Sequence, residues 1–359
     1  MDDQVSFAIV GAGWRSEFYL RVAQALPERF RVCGVLVRST EKAEAISKRW
    51  NVNAMASSLD DLLRGSPNFV VTSVPWNVNP GLLTELAARN VPTLSETPPA
   101  PDVEQMRKLW ASVGGSARVQ VAEQYPFQPL HAARIAIAGS GKLGNVSHAY
   151  VSAAHGYHGV ALIRRLLGIG IEPCSIKGVK ALSDIIEGPG RDGPPALERM
   201  AKSEQTIATM SLASGKSAVF DFTGDQYFSW IRSERVLVRG DRGEINNLDV
   251  RYLQDYRTPI SFSLQRQDTG HGGNLEGYCH TGWLAGSEWV YRNPTAPARL
   301  ADDEIAVGDC LLRMGEYAAG SPSFYDLREG LHDHYLGMTI DQASAADAGT
   351  STEPQPWDK

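Results

Sequence analysis

Small residues follow the first apolar run of the chain at a spacing that suits a phosphate-bearing ligand. The apolar run 7–10 leads directly into the sequence GAGWRS at 11–16, and an amphipathic segment follows. In a strand–turn–helix unit, Gly11 permits the tight turn, Gly13 lets the backbone approach a pyrophosphate, and Ser16 keeps helix and strand close. The helix N-terminus adds free N–H groups and a favourable dipole. The pattern predicts a dinucleotide site formed by Gly11, Gly13, Trp14, Arg15 and Ser16.

The residues at the end of the second predicted strand help to decide between NAD and NADP as the dinucleotide. In an NAD site an acidic residue usually stands there and holds the ribose hydroxyls, but this chain has Val37 followed by Arg38, Ser39 and Thr40. A guanidinium pairs with a phosphate in a bidentate way, so Arg38 suits the 2′-phosphate of NADP. The alternative is a solvated charge at a helix start. We predict NADP, with NAD as the alternative, and place Arg38 and Ser39 in the cofactor site.

The elements that must position these residues are those of a parallel α/β sheet. Short apolar runs alternate with amphipathic segments over residues 5–123, which is typical of strands covered by helices on both faces. The fold predicted for residues 1–124 is therefore a Rossmann domain with a doubly wound parallel sheet. Strands are expected at 5–10, 31–37, 68–74, 91–94 and 118–122, and helices at 14–25, 40–50, 79–89 and 102–112.

A different pattern begins after Tyr125, where strand-like runs dominate to about residue 292. They predict an α+β domain over residues 125–347, built on a large, mostly antiparallel open sheet. Residues 187–195 contain three glycines and three prolines and are expected to form a loop. Residues 348–359 are expected to form a frayed tail, although Trp357 could pin it. Strands are expected at 147–153, 206–212, 217–222, 229–238 and 259–265, and helices at 130–138, 158–167, 302–319 and 326–345.

Composition narrows the class of partner. The formal net charge is -6 at pH 7, with acidic and basic residues interspersed, so no basic stripe would attract nucleic acid or an anionic membrane. No apolar run approaches the roughly 18 residues of a membrane span, and the N-terminus lacks the basic start of a signal peptide. The four cysteines have no metal-site spacing, and His332 and His334 lie on a predicted helix that does not suit a chelate. We expect a cytoplasmic protein with a small-molecule partner and no metal.

Several short motifs occur in an order and spacing that resemble a known family. They are residues 11–16, VPWN at 74–77, ETP at 96–98, GKLG at 141–144, and GYH at 156–158 followed by RRLLG at 164–168. Over most of its length the chain resembles the Gfo/Idh/MocA family of sugar and inositol oxidoreductases. The resemblance implies an N-terminal Rossmann domain that binds NAD(P). It also implies a C-terminal sheet that forms the substrate wall and often the oligomer contact, so a carbohydrate-like substrate and a homo-oligomer are expected.

The resemblance carries over only in part at the expected active site. The family's Glu-Lys-Pro tripeptide is Glu96-Thr97-Pro98 here, so Thr97 replaces the lysine. Ala161 stands where the family has an aspartate three residues after its active-site histidine, and that histidine is His158. The resemblance implies that His158 acts as general acid or base at the nicotinamide, since its unperturbed pKa is near neutrality. The alternative is a buried histidine satisfied by a backbone carbonyl.

Further residues complete the predicted site. Tyr157 is the second catalytic candidate, and His155 and Tyr125 could face the same cleft. We also assign Pro75, Trp76, Glu96, Thr97 and Gln124 to the cofactor site. The function predicted from these features is hydride transfer between NADP(H) and a hydroxyl or keto group of a sugar-like or polyol substrate. Two alternatives stay open: a redox-inactive dinucleotide-binding regulator or scaffold, which the loss of the lysine and aspartate would suit, and an imine-type reductase.

Overall fold

The computed structural model describes residues 4–52 and 55–358, and the predictions that touch residues 1–3, 53, 54 and 359 lie outside it. Its first layer is a sheet of six parallel strands in the order β3-β2-β1-β4-β5-β6 within those residues. The strands are β1 (Val5–Val10), β2 (Phe30–Leu36), β3 (Met55–Ala56), β4 (Phe69–Thr72), β5 (Thr93–Ser95) and β6 (Val119–Val121). The connecting helices are α1 (Ser16–Ala25), α2 (Thr40–Trp50), α3 (Leu59–Leu63), α4 (Asn79–Ala88) and α5 (Val103–Val113).

Local sequence explains why these elements start and run where they do. Phe7, Ala8 and Ile9 of β1 are all fully buried, as expected for a central parallel strand that is covered on both faces. The Ser39 hydroxyl accepts a hydrogen bond from the N–H of Lys42 and thereby caps α2. Asp102 caps α5 in the same way. The predicted Rossmann sheet is thus confirmed, and the two elements that sequence reasoning missed, β3 and α3, are short.

The second layer is a large sheet in which only β7 and β10 pair in parallel among the described strands. Its order is β16-β15-β14-β13-β12-β11-β7-β10-β9-β8-β17. Its first strands are β7 (Val146–Ser152), β8 (Cys174–Ile186), β9 (Met200–Leu212), β10 (Ser217–Thr223), β11 (Arg235–Gly240) and β12 (Gly243–Asn246). The others are β13 (Asp249–Asp255), β14 (Thr258–Thr269), β15 (Cys279–Ala285), β16 (Glu288–Arg292) and β17 (Gly349–Ser351). The mostly antiparallel sheet that the sequence predicted is confirmed.

Four helices accompany this second part of the chain within the described residues: α6 (Pro129–Gly139), α7 (Gly156–Leu167), α8 (Asp302–Ala318) and α9 (Leu327–Ala346). The prediction grouped α8 with the second sheet, but in the structure α8 packs on the first sheet. The apolar residues of α8, among them Leu311 and Met314, share a buried cluster with Phe7 and Tyr19 of the first layer. The reason is that one face of the parallel sheet needs a cover that residues 5–123 do not supply. The boundary at residues 124 and 125 stays a prediction.

Two further expectations were wrong. Residues 229–234 do not form the first part of a strand, since β11 begins at Arg235 and residues 230–234 are exposed. The segment after residue 348 is not frayed, because Thr350 of β17 pairs with Ile176 of β8. Trp357 is fully buried, and Arg328 donates to its carbonyl oxygen at 2.6 Å. No helix in the described part of the chain is long and apolar enough to cross a membrane.

Candidate active site

The carboxyl edge of the parallel sheet gathers the predicted site residues. Because all six strands run in the same direction, the segments that follow them emerge at one edge, where ligands of open α/β sheets bind. Residues 11–16 follow β1, Arg38 and Ser39 follow β2, Pro75 and Trp76 follow β4, Glu96 and Thr97 follow β5, and Gln124 follows β6. Tyr157 and His158 reach the site from the first turn of α7.

The turn between β1 and α1 fits a pyrophosphate. Gly11 has a φ of +126°, and a Cβ there would lie 1.9 Å from the carbonyl oxygen of Ser73, so only glycine is accommodated. A Cβ on Gly13 would have no neighbour within 4 Å, which leaves the backbone open to a phosphate. No side chain caps the N-terminus of α1. The buried Ser16 hydroxyl has no hydrogen-bond partner in the described residues. The turn therefore offers an uncapped helix end and open space.

Substitutions at the two glycines should separate folding from binding. We expect Gly11→Ala to lower the Tm by about 5–10 °C, because the added methyl group overlaps the Ser73 backbone and φ is strained. Gly13→Ala should leave the Tm within about 2 °C. It should weaken NADPH binding roughly 10-fold, because its methyl group occupies space for the phosphates. Thermal melts and fluorescence titrations measure both. An unchanged Tm for Gly11→Ala or unchanged binding for Gly13→Ala would contradict this description of the turn.

Two predicted cofactor residues are bound to each other. Arg15 Nε lies 2.9 Å from Glu96 Oε1, and its Nη1 lies 3.2 Å from Asp303 Oδ2. Tyr19 also donates its hydroxyl proton to Glu96 Oε1. This buried group ties the glycine turn to the segment after β5 and to α8. The Arg15 guanidinium is therefore already balanced by two carboxylates, while the cofactor contacts predicted for Arg15 and Glu96 stay predictions.

Arg38 and two tryptophans lie at the same carboxyl edge of the parallel sheet, and their side chains are exposed. Arg38 is exposed and makes no ion pair within residues 4–52 and 55–358. Trp14 and Trp76 are 54% and 52% exposed, which is high for side chains of this size. Ser39, by contrast, uses its hydroxyl as the cap of α2. Arg38 thus keeps its hydrogen-bonding groups available for a ligand.

A buried acid–base pair lies at the start of α7. His158 Nδ1 is 2.7 Å from Glu123 Oε2 and 2.8 Å from Oε1, and the side chains are 7% and 2% exposed. Glu123 comes two residues after β6, so the parallel sheet and α7 meet through this contact. The other ring nitrogen of His158, Nε2, makes no hydrogen bond to the described residues. The histidine is held by a carboxylate and not by a backbone carbonyl.

Aromatic and hydroxyl groups surround this pair. The rings of Tyr125 and Tyr157 each lie 4.4 Å from the His158 ring, and the His155 ring lies 4.9 Å from it. Tyr157 is beside the Thr97 hydroxyl. His155 precedes α7 as its cap residue, since the helix begins two residues earlier than predicted, and its Nδ1 contacts the hydroxyl of Tyr227. The cluster combines proton-transferring groups with hydrogen-bond donors.

Burial changes the proton affinities in this cluster. It raises the pKa of Glu123 well above its usual range and lowers the pKa of His158. Burial and the neighbouring His158 also lower the pKa of His155 to about 3. Burial of the ring therefore moves the pKa of His158 below the near-neutral value expected from sequence. Burial thus disfavours the charged forms of both members of the Glu123–His158 pair.

A close packing contact fixes the start of α7. A Cβ on Gly337 of α9 would lie 2.9 Å from the backbone nitrogen of Tyr157, so α9 packs directly on the first turn of α7. Ala161 is fully buried in an apolar cluster with Leu109 and Leu331. Asn79 donates its amide protons to Ser95 Oγ and the carbonyl oxygen of Pro99. Ala161, which stands where the resemblance implies an aspartate, therefore serves packing, and Asn79 supports the loop that follows β5.

Sequence reasoning missed two members of the cluster, Glu123 and Tyr227. A signal for Glu123 existed, because a carboxylate that follows a parallel strand stands at the ligand edge. Tyr227 had none, since it lies in a short 3₁₀ turn between β10 and β11. The described residues contain no group of three His, Cys, Asp or Glu side chains that could hold a metal ion. Asp333, between His332 and His334, instead pairs with Arg164.

Comparison with known proteins assigns the first layer to a family. Residues 5–123 match the Gfo/Idh/MocA family, an oxidoreductase family with an NAD-binding Rossmann fold. Residues 5–123 are therefore similar to the NAD-binding domain of that family. The match confirms the predicted resemblance and the predicted enzyme class, an oxidoreductase. No curated protein sequence matches the chain.

Solved structures resemble the fold of this chain over nearly its whole length. A levoglucosan dehydrogenase in complex with NADH and levoglucosan has a TM-score of 0.70 at 14% identity and covers 98% of this chain and 100% of its own. An oxidoreductase from Agrobacterium radiobacter in complex with NAD+, L-tartaric acid and magnesium has a TM-score of 0.67 at 11% identity, with coverage of 97% and 98%. A myo-inositol dehydrogenase from Corynebacterium glutamicum has a TM-score of 0.65 at 14% identity, with coverage of 98% and 99%. At these identities the likeness concerns the fold.

Proposed function

We propose that the chain is an NADP(H)-dependent oxidoreductase that acts on a hydroxyl or keto group of a small sugar-like or polyol substrate. The buried Glu123–His158 pair is the observation that carries this proposal. It stands at the ligand edge of an NAD-binding Rossmann domain, and Thr97, Tyr125 and Tyr157 lie around it. A polar cluster that can move one proton is what carbonyl reduction requires beside a nicotinamide.

The pair can replace the missing lysine as a proton source. When bound, the nicotinamide supplies or takes up the hydride. In the direction of reduction, His158 Nε2 gives its proton to the substrate oxygen while Nδ1 takes the proton of the Glu123 carboxyl group. Glu123 is left as a carboxylate, and the substrate ends as an alcohol. In the direction of oxidation, Nε2 takes the hydroxyl proton and Glu123 recovers its own. The hydroxyl groups of Tyr157 and Thr97 are placed to orient the substrate oxygen.

The sugar-like substrate is supported by two observations. The cluster is rich in hydroxyl groups and imidazoles, which suit hydrogen bonding to a polyol. The structures of similar fold include a levoglucosan dehydrogenase and a myo-inositol dehydrogenase. The homo-oligomer expected from the open sheet stays a prediction.

The choice of NADP rests on Arg38. No carboxylate stands at the end of β2, and the exposed guanidinium of Arg38 is free to meet a 2′-phosphate. We expect Arg38→Ala to weaken NADPH binding by about 10–100-fold, the worth of a charge-assisted phosphate contact, and to change NADH binding less than about 2-fold. Arg31→Ala, which removes an exposed arginine within β2, is the control. Equal losses for both cofactors in Arg38→Ala would refute the NADP assignment.

A screen tests the proposed activity. NADPH and NADH are first titrated by fluorescence, and keto-sugars, polyols and cyclic imines are then assayed with the wild-type chain and His158→Ala. We expect turnover with a keto-sugar or polyol that His158→Ala abolishes. Turnover with imines alone would favour the imine-type reductase. Tight cofactor binding without turnover on any substrate would favour the redox-inactive regulator, which Thr97 and the buried Ala161 also suit.

A further inference from the structure

A loop extends from the second sheet toward the glycine turn of the first domain. Strands β8 and β9 are joined by residues 187–199, in which Glu187 N donates to the carbonyl oxygen of Arg199 at 2.9 Å. The side chains of Glu187 and Arg199 form an ion pair. Further out, Gly190 and Gly193 exchange hydrogen bonds at 2.9 and 3.1 Å. Residues 187–199, which we call the arm, therefore include a tight turn with Arg191 and Asp192 at its tip.

The tip of the arm rests on the cofactor turn. The Arg191 guanidinium carbon lies 3.9 Å from the centroid of the Trp14 ring, which is well inside the range of a cation–π contact. Trp14 directly follows Gly13 and packs edge-on against Phe18 at 5.8 Å. Arg191 is exposed and makes no ion pair to the described residues. Residues far apart in sequence thus place a positive charge beside the turn that fits a pyrophosphate.

The position of Arg191 supplies a positive charge that the glycine turn itself does not have available. A diphosphate carries two negative charges, and Arg15, the arginine within the turn, is already balanced by Glu96 and Asp303. On the proposed dinucleotide function, we propose that Arg191 is a cofactor-binding residue that the second domain contributes. Its guanidinium, seated on the Trp14 ring, contacts the diphosphate of the bound dinucleotide, and the arm closes over the turn. This contact is distinct from that of Arg38, because NAD and NADP share the diphosphate and differ in the 2′-phosphate.

The test compares NADH and NADPH affinities in arm variants. We expect Arg191→Gln to weaken both by a similar factor, about 5–10-fold, because a charged contact to a shared group is lost. Trp14→Ala should have a similar effect, and the double variant should be little worse than either single one, since the residues act together. Asp192→Asn, at the same tip, is the matched control and should change neither affinity by more than about 2-fold. Thermal melts confirm that each variant is folded.

Proteolysis gives a second readout that does not depend on activity. Trypsin should cleave after the exposed Arg191 in the free chain, and saturating NADH or NADPH should slow this cleavage at least about 5-fold if the tip contacts the ligand. Unchanged affinities in Arg191→Gln, or a loss confined to NADPH, would overturn the proposal, as would cleavage that the dinucleotides do not slow. If the wild-type chain bound neither dinucleotide, the proposed function itself would fail. If the wild-type chain binds the dinucleotides and Arg191→Gln binds them equally well, only the role of Arg191 is refuted.

Discussion

Replacing Glu123 with glutamine should lower kcat for carbonyl reduction by about 10²–10³-fold and leave NADPH affinity within about 2-fold of wild type. Glutamine keeps the size of the side chain and can still hydrogen bond to His158 Nδ1. It cannot deliver a proton, so His158 loses its relay. Steady-state kinetics and fluorescence titration of the same preparation measure the two effects. A fall in kcat without a change in binding separates a proton-transfer role from a structural one.

A matched control and a pH profile sharpen this result. Glu329→Gln changes another largely buried carboxylate, which pairs with Arg165 at 2.9 Å, and should leave kcat within about 2-fold of wild type.

In the wild-type chain, the rate of carbonyl reduction should fall as the pH rises, because the Glu123–His158 pair must hold the proton that it delivers. The raised pKa of Glu123 places this loss above the usual range of a glutamic acid. A pH profile that Glu123→Gln leaves unchanged would contradict the relay.

Replacing Asp333 with alanine should destabilise the chain by about 3–5 kcal/mol and lower the Tm by roughly 6–15 °C. Asp333 Oδ1 lies 2.6 Å from Arg164 Nη1, and Tyr325 donates its hydroxyl proton to Oδ2. The Arg164 and Asp333 side chains are 6% and 2% exposed. Removing the carboxylate therefore leaves a buried guanidinium without its partner. Thermal melts of the variant measure the loss.

Two companion variants test the cause. Asp184→Ala removes an exposed carboxylate that pairs with Lys202, and its Tm should stay within about 2 °C of wild type. The double variant Arg164→Met/Asp333→Leu removes both buried charges and should lie closer to wild type than Asp333→Ala does. An Asp333→Ala variant as stable as wild type, or a double variant less stable than the single one, would show that the pair does not act through burial of charge.

Local signals were sufficient for much of the fold. The helix expected at 40–50 is α2, because Ser39 caps it and its last turn is basic. Asp102 and Pro80 likewise stand at the starts of α5 and α4. The apolar run 5–10 is a strand buried on both faces. In each case the information lies within a few residues of the element, where propensity and capping act.

Features decided by distant partners were not predictable in this way. β17 is a strand only because it pairs with the free edge of β8. Helix α8 covers β1 although nearly three hundred residues separate them. No local sequence pattern indicates either contact. The proton affinity of His158 depends on Glu123 and on burial, and neither can be read from the residues beside it. Residues 229–234 have strand-like composition but no strand beside them to pair with. Strand order alone was enough to bring the candidate residues to one edge of the sheet, while their electrostatics depend on contacts that the sequence does not show.

The position of α8 determines when the first domain can finish folding during synthesis. Its apolar face fills the cluster around Phe7 and Tyr19, yet the ribosome makes it only after strands β7 to β16 of the second sheet. Until then, the nascent parallel sheet exposes part of its core, and such surface binds chaperones or aggregates. Translation must therefore proceed through residues 302–318 before the dinucleotide site rests on a complete scaffold. Fragments that end before α8 should be recovered in inclusion bodies, even though they contain the intact glycine turn at residues 11–16.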